Sequence, residues 1–270
     1  MIYKIKKIFT FFEKNDIIIV ESEEKKMDNL YKIACTLMED VFPSSIEHIY
    51  ADEDGQYLIY NKEGDFLDIC ALADDDFSEY PYTVTSGCTK IVIIPDEYDW
   101  VLKIPFQGTF EDFEINDEDR AINYYVSKQP DILQLEIEDY ENSDECVKDF
   151  LLPIKKIGEY RGIPLYIQKK AKRFYEHTEF FKYEKISKEE EKSINRSVKS
   201  WLEQRKKPFL PYNPFFVNDI INYYGENKAS RIIEYSDWFD MHEGNYGYLE
   251  NGRPIVFDYG GYYSDRYNQE

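Results

Sequence analysis

Hydrophobic and polar residues alternate along this chain in two rhythms, and each change of rhythm marks an element. Ile8–Phe12 and Ile17–Val20 are short apolar runs parted by a polar turn, and both read as strands. Leu30, Ile33, Ala34, Leu37 and Met38 then recur at helical spacing, which predicts a helix with Asp28 as its N-cap and Pro43 beyond its end. Tyr57–Tyr60 and Phe66–Leu72 form a strand pair around the turn at Asn61–Gly64. The acidic run Asp74–Asp76 marks a boundary, so residues 1–79 are expected to form a small accessory α+β module. No chemistry is recognisable in it.

Past the boundary the strand period dominates. Tyr82–Thr85, Lys90–Ile94 and Trp100–Ile104 are three strands, joined by Ser86–Thr89 and by Pro95–Asp99. A long acidic stretch leads to a helix around Pro130–Tyr140, followed by strands at Leu151–Ile157 and Ile163–Lys169 that turn at Tyr160–Gly162. Ser187, with Glu190 three residues on, is a capping box opening a basic helix that runs through Ile194, Val198, Trp201 and Leu202 towards Pro208. Further helices are predicted over Pro214–Tyr224 and Ala229–Tyr235, and a last strand over Arg253–Phe257. The fold class is α+β.

Charge changes this picture more than composition does. The formal net charge is −21, which argues against nucleic acid as a partner, since phosphate neutralisation needs a basic surface. It is unevenly spread: residues 36–153 hold 30 acids against 6 bases, and residues 155–207 hold 16 bases against 8 acids. Four scattered cysteines without a C-x-x-C pair offer no zinc site and read as reduced thiols of a cytoplasmic protein. The apolar run at the start is short and broken by Glu13, Lys14 and Asp16, and no segment reaches the roughly 18 apolar residues of a membrane span, so no membrane association is expected. Abundant Tyr, Ile, Lys and Asn resemble the coding bias of an AT-rich bacterial or viral (phage) genome.

Three features carry chemistry. In Trp100-Val-Leu-Lys103-Ile-Pro a lysine interrupts an apolar strand, where a charge is costly unless it meets a partner or a ligand. The predicted helix after it supplies carboxylates at Glu136 and Glu138, of which Glu136 shares a face with Leu133 and Tyr140. Near the end stands Trp238-Phe-Asp240-Met-His242-Glu-Gly-Asn245, then a hairpin turning at Asn251-Gly252, then Asp258-Tyr-Gly260.

This order of elements and residues resembles the protein-kinase-like fold over residues 80–270. The resemblance implies a bilobal arrangement, with a β-rich N-lobe and hinge at 80–171 and a reduced helical C-lobe at 172–270. It makes Lys103 the strand lysine that holds nucleotide phosphates and Glu136 its helical partner, with Glu138 as runner-up. Asp240 becomes the base that takes the acceptor's proton, Asn245 and Asp258 the magnesium ligands, and His242 a neighbour of the transferring phosphoryl group. Gly87 lies in the phosphate-covering turn, and the backbone of Lys169 to Ala171 at the hinge would meet adenine. ATP and Mg²⁺ are thus the implied cofactors, with a protein as substrate or binding partner.

The chain departs from the family in three places. The phosphate turn has one glycine instead of several, Trp238-Phe239 replaces the usual His-Arg, and only ten residues follow Gly260, with no Ala-Pro-Glu segment. The leading expectation is an ATP- and Mg²⁺-dependent phosphotransferase whose acceptor is a protein hydroxyl. The alternatives are a pseudokinase that binds without turnover and an acidic interaction or inhibitor protein whose negative half occupies a partner's basic groove.

Overall fold

Why one sheet can carry both a core and a site follows from its strand alternation. The computed structural model describes residues 23–42, 46–51, 57–61, 66–68, 81–86, 89–115, 122–128, 131–174, 186–206, 213–236 and 243–259. The strand readings at 8–12 and 17–20 lie outside them. The fold is α+β.

Strands β1 (Ile46–Ala51), β2 (Tyr57–Asn61) and β3 (Phe66–Asp68) join β7 (Gly108–Ile115) and β8 (Ile122–Lys128) in a first sheet of order β3-β2-β1-β7-β8. This sheet draws strands from both sides of residue 79. Gln107 ties its halves, donating its backbone N–H to Ile49 O at 2.8 Å while its side-chain oxygen accepts from Ile49 N. β7 and β8 occupy what reads in sequence as an acidic stretch. Their pairing shifts register between Glu111 and Glu114. Such a bulge adds a residue to one strand and breaks the period of two, which is why Phe110 and Phe113 do not announce a strand.

The second sheet is antiparallel, with order β4-β5-β6-β10-β9: β4 (Tyr82–Ser86), β5 (Lys90–Pro95), β6 (Trp100–Pro105), β10 (Ile163–Lys169) and β9 (Ile154–Tyr160). One face is covered by α1 (Glu23–Val41), whose Ala34, Leu37 and Met38 pack in one cluster with Ile91, Ile93, Leu102, Ile104 and Leu165. The helix begins ahead of Asp28, which lies inside it. Its extra turn is Glu-Glu-Lys-Lys-Met, good helix formers with acids at the positive end of the helix dipole, and it needs no cap at Asp28. α1 approaches β9 closely at Gly158, where a Cβ would stand 2.6 Å from the Tyr31 ring, and the Tyr31 hydroxyl donates to Glu159 O at 2.6 Å.

Helix α2 (Ile132–Asn142) and the short α3 (Glu145–Lys148) separate β6 from β9 in sequence along with the first-sheet strands. Beyond the second sheet, α4 (Lys188–Gln204), α5 (Pro214–Tyr224) and α6 (Glu226–Ser236) enclose an aromatic-rich core with Phe150, Phe174, Phe216, Tyr246 and Tyr248. The capping box at Ser187 and Glu190 forms in both directions. Asn213 caps α5 by accepting from Phe215 N, with Pro214 opening the helix.

A third sheet links the parts, with β11 (Lys172–Arg173), β12 (Tyr246–Tyr248) and β13 (Pro254–Val256) in that order. Gly247 permits the β11–β12 contact, because a Cβ there would stand 2.0 Å from Lys172 O. β12 and β13 form the hairpin the Asn251-Gly252 turn predicts: Gly252 has φ +77° and Asn251 Oδ1 accepts from Arg253 N. β13 also bonds the 150–152 segment, through Leu152 N to Val256 O at 2.8 Å and Val256 N to Phe150 O at 2.9 Å. Among the described residues no helix is long and apolar enough to cross a membrane.

Candidate functional site

The face of the second sheet opposite α1 carries two lysines. Alternation along β5 and β6 sends Ile91, Ile93, Leu102 and Ile104 to the α1 side, so Lys90 and Lys103 fall on the other. The register pairs Val92 with Lys103 and Lys90 with Pro105, so the two lysines share that face on neighbouring strands, two positions out of step. Both are buried, with side chains 5% and 4% exposed. A buried ammonium is tolerated only where acceptors meet it.

The acceptors come from two elements remote in sequence. α2 is fixed at its start by Asp131, whose Oδ1 accepts from Leu133 N at 3.1 Å and Gln134 N at 3.2 Å, and whose Oδ2 accepts from the Tyr166 hydroxyl of β10. Burial and this carboxylate both hold the Tyr166 phenol firmly protonated. Leu133 packs against Ile154 and Tyr166, and one turn on Glu136 points at the sheet with no exposed side chain. Lys90 Nζ lies 3.3 Å from Glu136 Oε1, and Lys103 Nζ lies 3.7 Å from Glu136 Oε2. Glu138, by contrast, is exposed and accepts from Gln134 Nε2.

The second carboxylate is Asp258, two residues past β13. Lys90 donates to its Oδ1 at 2.5 Å, and Lys103 donates to the preceding carbonyl, Phe257 O, at 2.6 Å. The hairpin brings Asn245 to the same place, where its carbonyl accepts from Phe257 N at 3.0 Å and Asp258 N at 3.3 Å. Tyr259 is buried beneath and donates to Leu152 O at 3.1 Å. Asp258 alone in the cluster opens outward, its side chain 26% exposed.

These four charges perturb one another. Burial pushes the Glu136 carboxyl up, the two lysines only partly offset this, and it reaches about 7. Burial also raises Asp258, but Lys90 and Lys103 outweigh it and pull the carboxyl down to about 2. Burial lowers both lysines; for Lys90 the Asp258 and Glu136 carboxylates reverse the shift to a net rise, whereas Lys103 stays lowered. The firm ion pair is therefore Lys90 with Asp258, and the soft one is Lys103 with Glu136. Glu136 Oε2 accepts no hydrogen bond, consistent with that softness.

Of the residues singled out from sequence, Lys103, Glu136, Asn245 and Asp258 converge. Lys169 and Ala171 flank the connection between β10 and β11, where Lys170 N donates to Asp99 O at 2.7 Å. Gly87, Asp240 and His242 lie outside the described residues. Lys90 is the member that the sequence reading missed, although it opens an apolar strand just as Lys103 interrupts one. Only the β5–β6 register shows that the two lysines share a face. Among the described residues no group of three or more His, Cys, Asp or Glu is placed to hold a metal ion. Comparison of the chain with protein-family models, with curated proteins and with solved structures gives no match.

Proposed function

We propose that the chain is a phosphotransferase of protein-kinase-like type, using ATP with Mg²⁺ and a protein hydroxyl as acceptor. One observation carries the reading. A lysine on the third strand of an antiparallel sheet, a glutamate on the helix that follows and an aspartate after a late hairpin meet in one buried cluster. Kinases use that set to hold the phosphates and the metal.

The residues fit such a ligand. Magnesium prefers oxygen and keeps its waters, so it needs few side chains besides the phosphates. Asp258 supplies hard oxygens at the exposed edge of the cluster, and the Asn245 backbone carbonyl bonds the Phe257 and Asp258 N–H groups and so places Asn245 beside it. When bound, the metal would neutralise charge on the transferring phosphoryl group. Lys103 would hold phosphate oxygens, with Glu136 fixing its direction. Asp240 would take the acceptor's proton and His242 would face the transferring group. On this reading residues 80–171 and 172–270 are two lobes and Lys169 to Ala171 the hinge at adenine, while residues 1–79 are an accessory segment built into the first lobe, through α1 on the second sheet and β1–β3 in the first. A reducing cytoplasm suits the free thiols of Cys35 and Cys146.

The test is equilibrium binding of ATP·Mg beside transfer of its γ-phosphate. Lys103→Met and Asp258→Asn should abolish or sharply weaken binding, whereas Asp240→Asn should leave binding and remove transfer. Full transfer by the Asp240 and Asp258 variants together would sink the proposal. One observation favours the pseudokinase alternative: Lys90 already occupies the Asp258 carboxylate. Binding without any transfer by the unaltered protein would decide for it.

A further inference from the structure

Lys90 is not required by the role given to Lys103. Glu136 needs one lysine to neutralise it and has two, and each addresses a different place. Lys103 turns inward, to Phe257 O and Glu136 Oε2. Lys90 reaches the open edge, where its ammonium meets Asp258 Oδ1 at 2.5 Å and Glu136 Oε1 at 3.3 Å, with Thr89 Oγ1 at 3.5 Å. It stands immediately after the Ser86–Thr89 turn, the segment that would cover the phosphates. That segment holds a single glycine, where the family pattern has several.

Charge points the same way. Two lysines are matched by two carboxylates in the free protein. Once Asp258 serves a divalent cation, two lysines face Glu136 alone, and a buried ammonium without its counter-charge is costly. A polyphosphate oxygen is the anion that would arrive together with the cation.

Resting on the phosphotransferase reading, we propose that Lys90 is a second polyphosphate-binding lysine beside Lys103. It is held by Asp258 in the free protein and passes to the phosphates of a nucleoside triphosphate. Thus the site recognises the nucleotide's phosphate chain through two lysines on adjacent strands.

Calorimetric titration of the unaltered protein, Lys90→Met and Lys90→Arg with ATP·Mg and with adenosine tests this. Lys90→Met should lose roughly 10- to 100-fold in ATP·Mg affinity, as expected for a charge-assisted hydrogen bond, and keep its adenosine affinity. Lys90→Arg should retain most of the affinity for both. An equal loss for ATP and adenosine would make Lys90 structural, and unchanged or tighter ATP·Mg binding would make it a mere plug on Asp258; either result overturns the proposal. A second measurement needs no variant. An acyl-phosphate derivative of ATP transfers its acyl group to amines near the phosphates, releasing the nucleotide, and peptide mapping should find Lys90 acylated as well as Lys103. Acylation of Lys103 alone would overturn the proposal even if Lys90→Met did not fold. An unaltered protein that neither binds ATP·Mg nor reacts with the probe would instead refute the phosphotransferase reading on which this one rests.

Discussion

The two faces of the second sheet each bury strand residues but are held by different physics. Towards α1, Ile91, Ile93, Leu102 and Ile104 meet apolar side chains, and burial alone is favourable. On the opposite face Lys90 and Lys103 are just as hidden from water, and burial alone would be prohibitive. That face exists only because α2 and the β12–β13 hairpin deliver Glu136, Asp258 and the Phe257 carbonyl to it. One face stores stability; the other stores charge that a ligand can redirect. A sheet with both can be rigid where it supports a site and polar where it acts.

The contrast can be broken from either side. The largest effect should come from the apolar face: Leu102→Ala should cost about 3–4 kcal/mol, seen as a lowered denaturant midpoint, while ATP·Mg affinity of the folded protein stays within a factor of two. If that affinity collapsed with stability, the faces would not be separable. Next is Glu136. Its carboxyl is raised to about 7 from an ordinary 4.5, so its contribution to stability is full below pH 4.5 and lost as pH rises through 7. Stability should fall across that window with a slope of at most about 1.4 kcal/mol per pH unit, and Glu136→Gln should flatten it.

Asp258 works in the opposite direction. Its carboxyl is lowered to about 2 from 3.8, so its contribution is present above pH 3.8 and lost as pH falls through 2. Asp258→Asn should remove up to about 2 kcal/mol of that acid-side loss, measured by chemical denaturation between pH 2 and 5. An unchanged acid limb would mean that the Lys90–Asp258 pair is not formed in solution. The smallest effect belongs beneath the cluster. Tyr259→Phe removes one of two donors to the Leu152 carbonyl, leaving Gln168 Nε2, and should cost at most about 1 kcal/mol in thermal unfolding, with nucleotide affinity little altered.

Much of this was legible beforehand, and the exceptions share a cause. The capping box at Ser187, the Asn251-Gly252 turn and the helix over Pro214–Tyr224 are local, and each forms where the residues predict it. Lys103 stood out because a charge inside an apolar run is locally anomalous. Glu136 stood out because its spacing from Leu133 put it on a packed helix face, and the ion pairs go to it and not to Glu138. Lys90 did not stand out, since a lysine at a strand end is ordinary until the neighbouring strand fixes which way it faces. β7 and β8 were hidden by the bulge between Glu111 and Glu114, which breaks the alternation that reveals strands. The early start of α1 was hidden because helix formers need no capping residue to announce them.

The sequence by itself determined the elements whose pattern is unbroken, the Ser187 capping box, the Asn251-Gly252 turn, and the spacing of Asp240, Asn245 and Asp258, because these depend on neighbours within a few positions. Only the tertiary structure decided that Lys90, Lys103, Glu136 and Asp258 share one buried cluster. Those contacts join residues up to 168 positions apart, and they follow from strand register, from the anchoring of α2 by Asp131 and Tyr166, and from the docking of β13 on the 150–152 segment. No periodicity encodes such a meeting, since it arises only when separately folded faces must bury one another's charges.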